Sequence, residues 1–401
     1  MNQNISTAIR SDTGKSASDR LPWAGLLSLA MAGFICLLTE TLPAGLLPQI
    51  SDGLGISEAL AGQLVTLFAL GSVVAAIPLI ALTRGWRRRP LLLMCIIGFL
   101  VFNSITALSF NYTLTLVARF FAGVSAGVLW GMTAGYARRM VSDSLKGRAM
   151  AIAMVGAPLA MALGVPVGTY LGVLVGWRTV FWIMSLMSMA LIVWMFWKLP
   201  DFSGQASDKR LSLRKVFVIP GVQSVLFVVL TWVLAHNILY TYISPFLSKA
   251  NLTQRVDLVL FIFGITSVVG IWLTGLWIDR MLRSLVIISL SGFVLASILL
   301  GIGSSQPIMI YMGVAAWGLT FGGAGTLTQT AIAEAAGDSA DVAQSMLVTV
   351  WNTAIGGGGV IGGILLEKWG VGNFPWILCV LVLIALTVAW RARGHGFPSK
   401  N

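Results

Sequence analysis

The chain has 401 residues, of which 57% are hydrophobic and 10% charged, and its formal net charge is +12. A soluble domain of this length needs more polar surface than that composition supplies. What remains is a polytopic membrane protein, and helices that satisfy their own backbone are the elements that suit hydrocarbon.

Twelve apolar stretches are each long enough to cross a bilayer as a helix. In chain order they are predicted at 22–48, 58–82, 91–110, 112–137, 147–172 and 177–198, then at 218–246, 256–278, 284–303, 307–333, 343–367 and 373–392. The expected organisation is a tail (1–21), a six-helix half (22–198), a central loop (199–217), a second half (218–392) and a tail (393–401). The first tail lacks the short apolar core and small-residue cleavage site of a signal peptide. In the central loop Lys209, Arg210, Arg214 and Lys215 are spaced among Leu211, Leu213, Val216 and Phe217. That pattern predicts a short interfacial helix over part of the loop, with a disordered linker as the alternative. Cys36, Cys95 and Cys379 fall in separate spans, which suits neither a disulfide frame nor a metal cluster.

Charge distribution sets the expected orientation. With the amino terminus in the cytoplasm, tails and even-numbered loops hold 21 Lys and Arg, the opposite side holds 4, and Arg119 lies within a span. This asymmetry predicts cytoplasmic termini. It assigns Arg84, Arg87, Arg88 and Arg89 to topology and lipid headgroups rather than to nucleic acid.

A shift of 195 or 196 residues superimposes the landmarks. Gly123 and Gly127 fall on Gly318 and Gly322, Gly164 and Gly168 on Gly359 and Gly363, Thr83-Arg84 on Asp279-Arg280, and Glu40 on His236. Two six-span halves in parallel repeat are the layout of secondary transporters. Gly123, Gly127, Gly131 and Gly135 recur every four residues, which predicts close helix packing or a smooth seam with room for a ligand. Gly123 to Gly127 also fits a nucleophile elbow around Ser125, and Gly357 to Gly362 a dinucleotide fingerprint. Both lie mid-helix, outside the strand–turn–helix context those mechanisms need.

Four signatures carry a family resemblance: Thr39-Glu40-Thr41-Leu42-Pro43 running to Pro48; Leu82-Thr83-Arg84-Gly85-Trp86 running to Pro90; Arg119 followed by Gly123 and Gly127; and Gly164-Val165-Pro166-Val167-Gly168-Thr169 followed by Gly176-Trp177-Arg178. With them the chain resembles the major facilitator superfamily over essentially its full length. Within it, the chain is similar to the twelve-span bacterial drug:proton antiporters, particularly sugar-efflux and purine-nucleoside-efflux permeases. The resemblance implies an all-α fold of twelve helices in two pseudo-repeats, a monomer in the bacterial cytoplasmic membrane, and transport rather than enzymatic catalysis. It implies a small-molecule substrate and protons as partners, with the proton gradient as driving force and no cofactor. It gives Thr83, Arg84, Arg88, Asp279 and Arg280 a part in latching the cytoplasmic side, and Gly164, Pro166 and Gly168 a part in bending the fifth helix. The sequence departs from the pattern at Thr83, where the family has aspartate, at Trp86, where it has glycine, and at Val165, which separates the usual Gly-Pro pair.

Two fully charged side chains lie well inside spans. At about 1.5 Å per residue, Glu40 and Arg119 are expected at matching depth, ~10–12 Å below the outer interface. A charge there must face a partner or water. Glu40 is the candidate proton carrier and Arg119 the fixed charge that biases it, with a purely structural ion pair as the alternative. His236, whose imidazole titrates near neutrality, is the second relay candidate, or else a histidine hydrogen-bonded within the bundle. Trp130, Asn237 and Trp317 are the predicted substrate contacts, with Tyr240, Tyr242, Thr326, Thr328 and Gln329 around them. An uptake facilitator or symporter is the alternative function. A membrane sensor or enzyme is the remoter one.

Overall fold

The computed structural model describes residues 21–76, 79, 82–83, 85–142, 145–204 and 213–397. Arg84, the first tail to residue 20, and Lys209, Arg210 and Leu211 of the central loop lie outside the described residues, as does the side chain of Asp279. Each of the twelve predicted spans holds a long apolar helix among the described residues. They are α1 (Trp23–Gly45), α2 (Glu58–Ala76), α3 (Arg88–Leu108), α4 (Tyr112–Arg139), α5 (Lys146–Val175) and α6 (Trp177–Lys198). The second set is α7 (Val222–Thr241), α8 (Thr253–Ile278), α9 (Arg280–Ile302), α10 (Pro307–Ala336), α11 (Ala340–Trp369) and α12 (Phe374–Arg391).

Local chemistry explains the boundaries that hydropathy placed only roughly. Pro43 lies inside α1, the helix breaks at Leu46 (φ −112°, ψ 18°), and the chain continues as a short helix, Leu47–Leu54. Asn111, which also fits a glycosylation acceptor, caps α4 by accepting from the Leu114 N–H at 3.0 Å. Gly176 (φ 85°) makes the turn between α5 and α6, a conformation in which glycine carries no Cβ penalty. Between α8 and α9 the helical pattern is interrupted at Met281 alone (φ −133°, ψ 31°), where the sequence reading expected a loop over 279–283. Apolar counting cannot see a reversal that needs no glycine or proline. In the central loop the described part holds a single helical turn, Leu213–Phe217.

The pseudo-repeat extends to individual contacts. A methyl group on Gly123 would collide with the Phe68 carbonyl, and one on Gly318 would crowd that of Phe263. Gly127 sits against the Ser72 backbone as Gly322 does against that of Ser267. In both halves, then, the same glycine pair lets two helices touch backbone to backbone. The ladder divides beyond that point, because Gly131 and Gly135 are exposed and Gly135 meets no neighbouring atom.

Helix α5 carries one turn of π-helix, Ala160–Gly164, just before Pro166. Such bulges re-aim the helix that follows. Gly164 and Gly168 pack against Phe34 and Leu42 of α1, and Gly264 of α8 approaches the backbone of Met161 and Ala162. The motif residues of α5 thus seat it between α1 of its own half and α8 of the other.

Candidate functional site

The helices converge at Thr39 and Glu40. Arg119 is fully buried, and Glu40 keeps 6% of its surface exposed. Depth matching places them together as expected, but the guanidinium does not pair with the carboxylate. Its Nη2 donates to the Thr39 carbonyl at 2.5 Å and to the Glu40 carbonyl at 3.5 Å, while Nε donates to the Leu64 carbonyl at 3.5 Å. Its Nη1 has no hydrogen-bond partner, and its carbon lies 4.9 Å from the Phe68 ring centroid and 5.9 Å from that of Phe181. Among the described residues the one ion pair is Arg87–Asp201. The guanidinium is thus held by main-chain carbonyls rather than by a direct ion pair, although the Glu40 carboxylate stays within its electrostatic reach. The Glu40 carboxylate lies within electrostatic reach of Cys36 on its own helix and of Tyr240 on α7.

Tyr240 leads into an aromatic cluster in the second half. His236 stacks on Phe321 with centroids 3.7 Å apart and on Tyr240 at 5.3 Å, with Phe263 at 5.6 Å and Trp317 at 5.2 Å. Its Nδ1 is buried without a partner, so the histidine is not the hydrogen-bonded bundle residue that the sequence left open. Trp317 is fully buried and backs this cluster instead of facing an opening. Asn237 turns away from it. Its Nδ2 donates to the Val233 carbonyl at 2.9 Å, and its Cβ lies against Gly358 of α11. Trp130 is half-buried on α4, with its ring edge against Gly33 and its side chain beside Cys36, one turn from Glu40. Thr328 is buried on its own helix, and Gln329 accepts from Gln344 through its main chain.

The end of the bundle opposite the Arg87–Arg89 cluster is sealed between the two halves. The Tyr242 hydroxyl donates to the Gly359 carbonyl at 2.7 Å and lies 3.3 Å from that of Ala59. Gln63 Nε2 donates to the Gly359 carbonyl at 3.2 Å, and Thr66 to that of Gly356 at 3.3 Å. The Tyr242 ring fits a socket of Gly62, Gly362 and Gly363, each of which would strike it if it carried a Cβ. The sequence reading placed Tyr242 at the cavity; the signal for its actual place is the cluster of glycines on α2 and α11.

At the basic end each half ties down arginines of its own. Arg87 pairs with Asp201, the Arg89 N–H donates to Asp201 at 3.0 Å, and Arg88 donates to the Phe202 carbonyl through its backbone. In the second half Arg283 donates to the carbonyls of Ala389, Trp390 and Phe397. Thr83, at the family's aspartate position, bonds back to the Leu79 carbonyl at 2.6 Å, and Arg280 is exposed. Asp201 escaped the sequence reading because it follows α6, far along the chain from the loop it serves. Burial works against its charge, but the Arg89 N–H and the Arg87 guanidinium hold its carboxyl below the usual range.

The model of the Major Facilitator Superfamily matches residues 29–340 of the chain. The fold is similar to a crystal structure of the nucleoside transporter NupG, with a TM-score of 0.70 at 13% identity over 92% of this chain and 98% of that one. It is also similar to a bacterial homologue of the human lysosomal transporter Spinster, solved inward-facing and unoccupied. There the TM-score is 0.68 at 15% identity, over 94% and 97% of the two chains.

Proposed function

Because the chain belongs to the major facilitator superfamily, whose model spans most of it, and is therefore a membrane transporter of a small solute, we propose that it exports that solute from the bacterial cytoplasm in exchange for protons. The observation that carries this reading is Glu40. Among the described residues it is the carboxylate set deep within a span, and it sits where α1 meets Tyr240 of the other half. A group there changes surroundings when the halves rock, so a proton taken up on one side is released on the other. With the termini in the cytoplasm, as the charge asymmetry suggests, the closed end around Tyr242 faces outward, the side an exporter keeps shut while it loads.

The residues near Glu40 favour a neutral, partly aromatic substrate. His236, Tyr240 and Phe321 form a stacked series on one side with Trp351 tilted against Phe321, and Trp130 stands on the other. Such faces suit sugars and nucleosides better than strongly charged solutes, and the similarity to NupG points the same way. Growth inhibition of deletion and overexpression strains across sugars, nucleosides and antibiotics identifies the substrate. In proteoliposomes, wild type then builds a substrate gradient when the compartment it exports into is acidic. Glu40→Gln keeps the side chain's shape but loses the titratable group, so it should retain exchange and lose the uphill gradient. An equal gradient in the variant removes Glu40 from proton coupling and leaves His236 as the next residue to test. A gradient built in the opposite direction by wild type would establish uptake.

A further inference from the structure

Two features meet near the C-terminal end of α1. Pro43 has no N–H, so the Thr39 carbonyl four residues earlier loses its helical donor, and the proline ring pushes that carbonyl aside. In hydrocarbon no water replaces the missing donor. This is the carbonyl to which Arg119 Nη2 donates. A third helix grips the same residue, since Asn103 Nδ2 of α3 donates to Thr39 Oγ1 at 3.0 Å. Thr39, Asn103 and Arg119 are all fully buried.

We propose that Arg119 is a positioning residue: its guanidinium supplies the donor that Pro43 removes, and this clip fixes the last turns of α1 and so the place of Glu40. The clip accounts for a buried cation whose hydrogen bonds all go to main-chain carbonyls, with the Glu40 carboxylate only within electrostatic reach. Guanidinium is delocalised and weakly hydrated, and the faces of Phe68 and Phe181 accommodate what the carbonyls leave uncovered. Glu40 follows Thr39 directly, so a Thr39 carbonyl left without a donor loosens this turn and lets the carboxylate drift from Tyr240. The clip itself is independent of transport direction; its effect on coupling rests on the export reading.

Complementation by the backbone tests it. Arg119→Gln should lower the apparent unfolding temperature of the full-length protein in detergent by several degrees and abolish most of the uphill gradient. Pro43→Ala restores an N–H at position 43 and should be close to neutral alone. Combined with Arg119→Gln it should recover at least half of the lost unfolding temperature, and part of the gradient. If Arg119 served instead as the counter-charge of Glu40, the rescuing partner would be Glu40→Gln. Better rescue by Glu40→Gln, no rescue by Pro43→Ala, or failure of the Pro43→Ala double variant to accumulate in membranes each overturns the clip. Should wild type move substrate without regard to pH, the export reading falls while the unfolding series still decides the clip.

Discussion

Removing one oxygen from the far-end seal should open it measurably. Tyr242→Phe deletes the hydroxyl that donates to the Gly359 carbonyl at 2.7 Å and touches that of Ala59 at 3.3 Å. The ring keeps its glycine socket, and Gly359 still accepts from Gln63 at 3.2 Å, so no acceptor is stranded. The loss is therefore that of one ordinary hydrogen bond, about 1 kcal/mol. Since 1.4 kcal/mol is tenfold, that is about fivefold in the equilibrium between sealed and open far ends, enough to raise a state held at about 10% to about 35%. Spin labels at Asp52 and Lys368, exposed on either side of the seal, report the change after the three cysteines are replaced. The longer-distance population should grow in Tyr242→Phe. It should grow further in Gly62→Ala, whose methyl would strike the Tyr242 ring. An unchanged distribution in both variants, or a shift to shorter distances, would refute the assignment of this contact as the gate.

The remaining expectations concern the other end and the orientation. Asp201→Asn should lower stability by about 1 kcal/mol, a figure discounted because Arg87 is 73% exposed. Since the Asp201 carboxyl is held below its ordinary value, its contribution is present above about pH 4 and fades as pH falls through the folded-state value. The gap between wild type and variant in thermal unfolding should therefore close in acid. A gap that persists there would mean that Asp201 acts through packing. Cysteines placed at Ser57 and Ser203 should be told apart by an impermeant reagent on intact spheroplasts, with Ser57 labelled and Ser203 protected. The opposite pattern would invert the topology.

Much of this architecture was legible because the membrane enforces it. Each span shows itself as an apolar run, and the repeat shows itself because Gly123 and Gly318 meet the same backbone atoms in each half. Depth, too, could be counted, and it brought Arg119 to residues 39 and 40. The identity of its partner could not be counted in the same way, although Pro43 lay four residues beyond Thr39 as the available signal. Charges draw attention to side chains, whereas here the demand came from a carbonyl that proline had deprived of its donor. Nor does helical periodicity say which face of α7 meets the other half. That is why Tyr242 and Asn237 read as cavity residues, whereas the first closes the far end and the second lies along α11. Met281 breaks its helix pattern with no residue that marks a turn.

The seal around Tyr242 also bears on how readily the molecule can change state. Its acceptors are helical carbonyls, which have a second lone pair after bonding within their own helix. When the halves separate, Gly356, Gly359 and Ala59 keep those intrahelical bonds. A gate closed by a buried ion pair would behave otherwise, because separation would expose two unpaired charges to a low-dielectric medium. Here the closed end can come apart one bond at a time, each step about 1 kcal/mol, and re-form with no charge to rebury. The glycine walls add to this, since the Tyr242 ring is the one side chain that must leave its socket and the glycines themselves project nothing that holds it. The joint is built for repeated use, firm enough to exclude water yet shallow enough to be crossed in every turnover.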